Sequence, residues 1–163
     1  MPKIHFFCAG GTIDKVYFDA KSDYQIGQPA VEKMLKELPI FFDYDITSVL
    51  KKDSLDMTQD DRRELYKAVE ACREDLVVIT HGTDTMPETA IVLSEISNKT
   101  IVLTGAMAPA IFKETDALFN LGCAIAAVQT LKAGVFIAMN GEIFDALNVR
   151  KDREKGGFTT LNG

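Results

Sequence analysis

Two segments of this chain join glycine to threonine, Ala9-Gly10-Gly11-Thr12-Ile13-Asp14 and His81-Gly82-Thr83-Asp84-Thr85-Met86. Each follows a short apolar run, Ile4 to Ala9 and Leu76 to Thr80, that reads as a buried strand. If the strands are parallel neighbours, both turns reach the carboxyl edge of an open α/β sheet, where such sheets bind ligands. Glycine permits a tight turn and close backbone approach, and free N–H groups there can hold an anion or an oxyanion. A threonine hydroxyl beside such donors is a candidate nucleophile. Taken singly, these residues also have plainer roles. Thr12 can cap the following segment, Asp84 can sit at a helix start favoured by the macrodipole, Lys151 can be a surface charge and Tyr24 a loop-packing ring. His81 with Ser54 and Asp84 suggests a Ser/His/Asp set, but no Gly-x-Ser-x-Gly elbow accompanies it.

The elements that must carry these turns alternate along the chain. After the first strand and a polar loop from Asp14 to Gln28, Val31, Met34, Leu35 and Leu38 repeat at helical spacing between Pro29 and Pro39. Phe41 to Leu50 reads as a strand. Thr58 and Asp61 form a capping pair for a helix whose Leu65, Ala68, Val69 and Cys72 share a face. After the strand Leu76 to Thr80, Thr85 and Glu88 have capping-box spacing and Pro87 suits a first helical turn. Thr100 to Thr104 is a strand, Asp116 to Leu131 an apolar helix that must be nearly enclosed, and Gly134 to Met139 the last parallel strand. Asn140-Gly141 signals a hairpin with Glu142 to Val149 returning. The charged run Arg150 to Lys155 reads by default as a solvated turn. This order predicts an α/β fold: a doubly wound, mainly parallel, flavodoxin-like sheet with helices on both faces and a C-terminal hairpin.

Composition narrows the function classes. The 163 residues suit a single domain, 1–163, able to bury about 70% of the surface its unfolded chain exposes. A net charge of −6 argues against a nucleic-acid footprint. No run of about 18 apolar residues is present to span a membrane. The three cysteines, Cys8, Cys72 and Cys123, are widely spaced within apolar segments and read as reduced core thiols, which points to the cytoplasm. The N-terminus enters a strand directly and has no signal-peptide pattern. Neither a metal nor a cofactor is called for; small-molecule chemistry is the expectation.

Several blocks, in order, carry a resemblance. They are the first turn, Asp53-Ser54-Leu55-Asp56-Met57, the second turn with Glu88-Thr89-Ala90, Thr104-Gly105-Ala106-Met107 with Pro109, Asp116-Ala117 with Asn120-Leu121, and Asn148-Val149-Arg150-Lys151. Together they resemble the N-terminal domain of the bacterial-type L-asparaginase family over essentially the whole chain. The resemblance implies hydrolysis of the side-chain amide of asparagine, or less often glutamine, to the acid and ammonia through a threonine acyl-enzyme. It places Thr12 as nucleophile and Tyr24 as the tyrosine that helps activate it. Thr83, Asp84 and Lys151 would form a second polar triad in which Asp84 binds the substrate α-ammonium group. Gly11, Ser54, Leu55, Gly82 and Ala106 fall at substrate-binding positions, Ser54 gripping the α-carboxylate.

Three departures follow from the same comparison. Family members usually continue into a smaller C-terminal domain that lends an acidic group to a neighbouring subunit, and this sequence stops at Gly163. Leu55 stands where many members carry glutamine or serine, and Ala108 where a basic residue is common. Three expectations result: an amidohydrolase active alone or as a homodimer, an amino-acid-binding or regulatory domain without turnover, or a fragment needing a separate C-terminal domain.

Overall fold

The structure is a computed structural model describing residues 2–162. Its centre is a six-stranded sheet built from β1 (Ile4–Gly10), β4 (Tyr44–Lys52), β5 (Leu76–Thr80), β6 (Thr100–Thr104), β7 (Gly134–Met139) and β8 (Glu142–Asp145). The strand order is β4-β1-β5-β6-β7-β8. All pairings are parallel except β7 with β8, so the parallel part follows the flavodoxin-like order and the Asn140-Gly141 turn returns an antiparallel edge strand. Asn140 and Gly141 both take positive φ, 56° and 76°, the conformation a tight hairpin turn requires.

Helices α1 (Ala30–Glu37) and α4 (Ala117–Thr130) cover one face, burying Val31, Leu35, Leu121, Ala124 and Val128 against Ile4, Phe6, Val78 and Val102. Helices α2 (Gln59–Ala71) and α3 (Met86–Leu93) cover the other with Leu65, Val69, Met86, Ala90 and Leu93 against Phe7, Ile79, Ile101 and Ile137. Alternate residues of each strand supply the two cores, which is why β1, β5 and β6 read as continuous apolar runs. Two small antiparallel pairs complete the fold. β2 (Lys15–Phe18) pairs with β3 (Asp23–Ile26) as a hairpin after the first turn, and β9 (Arg150–Asp152) pairs with β10 (Gly157–Thr159) near the end.

Four local expectations are corrected by these contacts. The segment Asp14 to Gln28 is not a loop; most of it is the β2–β3 hairpin. The second strand starts at Tyr44 rather than Phe41, because the ladder begins where Ile4 N–H donates to Asp43 C=O, and Phe41 is left 98% exposed. Thr58 and Asp61 do form a reciprocal capping box, but Thr85 makes no side-chain cap on α3; its hydroxyl is drawn away to the Ser54 carbonyl. The helix over Asp116 to Leu131 is not enclosed, since Leu118 and Phe119 are 50% and 60% exposed. Only its opposite face meets the sheet.

Candidate active site

Three loops converge at the carboxyl edge of the sheet, and glycine is what lets them touch. Gly10 and Gly11 both have φ of 88°. Gly11 N–H donates to Lys52 C=O at 3.0 Å, fixing the first turn to the end of β4. A Cβ on Gly11 would overlap the Gly82 backbone, and one on Gly82 would come within 2.7 Å of Ser54 Oγ. Side chains at either position would force the turns apart. Thr12 and Thr83 therefore stand one residue beyond a direct contact between the two turns.

Thr12 opens a short 3-10 turn and is half-buried. Beneath it Ile13 packs on Ala106 and Ala117, while Ala110 N–H donates to Ile13 C=O at 3.1 Å. The loop after β6 is held in turn by α4. Asp116 accepts from Met107 N–H at 2.9 Å and Ala108 N–H at 3.1 Å, and Asn120 Nδ2 donates to Gly105 C=O at 2.9 Å. Asp116 and Asn120 thus hold the loop that carries Ala106 against Ile13. Among the described residues the Thr12 hydroxyl has no hydrogen-bond partner, and the backbone N–H groups of Thr12 and Thr83 have no protein acceptor.

The second turn carries the charged part of the site. Lys151 Nζ donates to Thr83 Oγ1 at 2.9 Å and to Asp84 Oδ1 at 2.7 Å. The lysine side chain is only 12% exposed and that of Asp84 27%. β9 delivers Lys151 from far along the chain, so of the charged run expected to be a solvated turn, Arg150–Asp152 is a strand that brings Lys151 to Thr83, while Arg153 to Lys155 form an exposed turn as expected. Because the Thr83 oxygen accepts from an ammonium, its own proton is free to be donated into the crevice.

Ser54 is buried, and its contacts are to the protein. Its Oγ accepts from Thr85 N–H at 3.2 Å while its carbonyl accepts from the Thr85 hydroxyl at 2.8 Å. Leu55 is exposed, and its N–H is taken by Asp53 Oδ1 at 3.1 Å. Tyr24 is not joined to Thr12. It lies on β3 with its ring against Tyr17 and Phe112, centroids 5.4 and 5.6 Å away, and is 43% exposed. No hydrogen bond links it to Thr12 among the described residues.

Two buried titratable groups sit behind the turns. His81 Nδ1–H donates to Gly82 C=O at 2.7 Å, leaving Nε2 to accept from the Thr89 hydroxyl at 2.8 Å. That hydroxyl oxygen accepts from Arg62 Nε at 3.0 Å. Full burial pushes the imidazole down to about 4, so it is neutral, and it holds the Gly82 carbonyl as a structural group. Asp14, which the sequence did not single out, is 3% exposed, and burial pushes its carboxyl up to about 7. Asp14 Oδ1 accepts from Ala30 N–H and its carbonyl from Gly27 N–H, each at 2.8 Å, so one residue ties together both ends of the β2–β3 hairpin and the start of α1.

A second titratable cluster lies at the amino edge of the sheet. The ligand atoms of His5, Asp45 and Glu74 lie within 4.8 Å of one another. His5 Nδ1 is 2.8 Å from Glu74, His5 Nε2 is 2.8 Å from the Thr47 hydroxyl, and Asp45 is 2.7 Å from Lys3 Nζ. The protein's own ammonium already supplies the positive charge there.

The fold is α/β with a mainly parallel sheet whose carboxyl-edge turns carry Thr12 and Thr83, and open sheets of this kind bind ligands at that edge. The family model described as "Asparaginase, N-terminal" matches residues 3–159, and the chain belongs to that family. It is 35% identical to the probable periplasmic L-asparaginase of Haemophilus influenzae, covering 93% of this chain and 46% of that one. The thermostable L-asparaginase from Thermococcus kodakarensis superposes with a TM-score of 0.87 at 25% identity, covering 99% of this chain and 52% of that one. A probable cytoplasmic L-asparaginase from Campylobacter jejuni superposes at 0.77 with 33% identity, covering 93% and 48%. The chain spans about half the length of the relatives it matches. No helix among the described residues is long and apolar enough to cross a membrane.

Proposed function

We propose that this chain hydrolyses the side-chain amide of a small amino acid, asparagine ahead of glutamine, to the acid and ammonia. The observation that carries the reading is the juxtaposition of Thr12, one residue past the Gly11–Gly82 contact, with the Lys151–Thr83–Asp84 cluster on the facing turn. Thr12 Oγ attacks the amide carbonyl and its proton passes to the departing nitrogen. The oxyanion is stabilised by backbone N–H groups of the turns, and ammonia leaves as the C–N bond breaks. Water then attacks the Thr12 ester, returning the hydroxyl and releasing the carboxylic acid. Asp84 offers its carboxylate to the α-ammonium group, and Lys151 polarises Thr83 on the opposite wall. The test is ammonia release from asparagine and glutamine by the purified chain, with aspartate binding measured alongside. Binding without release favours an amino-acid-binding domain, and absence of both removes the hydrolase reading.

One observation favours a requirement for a second body. Among the described residues no base touches the Thr12 hydroxyl, and Tyr24 points its ring at Tyr17 and Phe112 instead. The exposed face of α4, with Leu118 and Phe119, adjoins Gly141 at the β7–β8 turn and offers an apolar surface for a homodimer. A separate C-terminal half is the competing occupant. Phe119→Glu should convert a sedimenting dimer to monomer, and unchanged sedimentation as a monomer would remove the dimer. The free cysteines suit a reducing, cytoplasmic setting, although the relatives include proteins named as periplasmic and as cytoplasmic.

A further inference from the structure

Asp84 has a second cation. Arg153 NH2 lies 3.4 Å from the same Oδ1 that Lys151 holds at 2.7 Å, and the two cations differ sharply in setting: the Arg153 side chain is 70% exposed, that of Lys151 12%. The short turn after β9 brings both to one carboxylate. Arg153 opens the turn just past the end of β9, two residues after Lys151, and its side chain reaches the same carboxylate oxygen. Asp152, between them, points the other way. Its Oδ1 accepts from the backbone N–H groups of Glu154 and Lys155 at 3.1 and 3.2 Å, which fixes the turn carrying Arg153. The guanidinium closes one side of a cavity of about 300 Å³ lined by Asp84, Glu88, Ile91, Val149 and Lys151.

Charge counting gives the consequence. Lys151 alone would balance Asp84, leaving a neutral pair whose carboxylate can still attract an ammonium. With Arg153 added, the three ion-paired groups Asp84, Lys151 and Arg153 sum to +1 at the carboxylate that would take an amino-acid ligand's α-ammonium group, and Glu88, on the wall of the same cavity, forms no ion pair with either cation among the described residues. We propose that Arg153 is a specificity-determining residue that biases this site away from zwitterionic ligands and toward their analogues lacking the α-amino group, a role that rests on the amino-acid-amide reading of the site. Because Arg153 is exposed, the bias is modest and screened by salt: exposed pairs of this kind correspond to about two- to fivefold in an equilibrium constant.

The experiment measures binding of aspartate and of succinate, which is aspartate without its amino group, to the full chain by calorimetry. It compares native protein with Arg153→Gln and Arg153→Lys, at low and at about 0.5 M salt. Arg153→Gln should raise the preference for aspartate over succinate about two- to fivefold, Arg153→Lys should retain the native ratio, and high salt should shrink the difference. Equal changes for both ligands in Arg153→Gln, or a ratio that does not move, would overturn the proposal. If the native chain binds neither ligand and releases no ammonia, the amino-acid-amide reading fails and this inference falls with it. Binding of both ligands with an unmoved ratio leaves that reading standing and removes only the role of Arg153.

Discussion

The two edges of the parallel sheet carry similar side chains and behave differently. At the amino edge, His5, Glu74, Thr47, Asp45 and Lys3 satisfy one another in pairs: an imidazole between a carboxylate and a hydroxyl, and an ammonium on a carboxylate. At the carboxyl edge, glycines bring two turns into contact and leave the Thr12 hydroxyl and the N–H groups of Thr12 and Thr83 without partners among the described residues. The chemistry on offer is set by which polar atoms the backbone leaves over, more than by which residue types are present. A closed cluster stabilises; an open one binds.

That contrast can be broken most directly at Thr12. Thr12→Val preserves shape and removes the hydroxyl, so ammonia release should fall to background while aspartate binding stays within about twofold; turnover that survives would sink the nucleophile assignment. Next in size is Lys151→Met. This change leaves Thr83 without its donor and Asp84 with only the exposed Arg153, and kcat/KM should fall by about 10² or more, on the scale of a lost proton-handling group. A loss under tenfold would mean that the pair is structural, like the one at the amino edge.

The buried groups behind the turns give opposite pH signatures, a few kcal/mol each at about 1.4 kcal/mol per unit of pKa difference. Asp14 is raised in the fold from 3.8 to about 7, so its contribution is fully present below pH 3.8 and is lost as pH rises through about 7. His81 is lowered from 6.5 to about 4, so stability falls as pH drops from 6.5 toward 4, where the unfolded imidazole takes a proton that the folded one refuses. Denaturant unfolding of Asp14→Asn should show higher stability than native at pH 8, with a steeper rise between pH 4 and 6.5 because only the His81 slope remains. Identical slopes in the two proteins would show that Asp14 ionises normally. Smallest of all is His5→Gln, which should cost about 1 kcal/mol or less and leave kcat/KM unaltered. An activity loss there would abolish the distinction between the two edges.

Much of the scaffold was readable before the structure because it follows from local pattern. The apolar runs at Ile4, Leu76 and Thr100 fall on central strands, and Thr58 with Asp61 closes its capping box. What was hidden depends on distant partners. Thr85 has capping spacing yet spends its hydroxyl on Ser54, a residue 31 positions away. Composition declared α4 apolar without revealing that Leu118 and Phe119 face outward. Arg153 looked like one charge in a solvated run, and Asp14 like the tail of a motif. Lys151 was placed beside Thr83 only by family resemblance; nothing in its neighbourhood of alternating charges marks it as buried.

Asp14 has one more consequence. The β2–β3 hairpin leaves and rejoins the body at a single residue, since Gly27 and Ala30 both return to Asp14 within 2.8 Å. A segment whose ends already meet is a cassette. Lengthening it costs the fold only the slow logarithmic entropy of a larger loop, about 0.6 kcal/mol per doubling, and excising it leaves ends that a short turn can join. The sheet and its glycine turns can therefore stay constant while hairpins of different length and sequence are exchanged between Asp14 and Gly27.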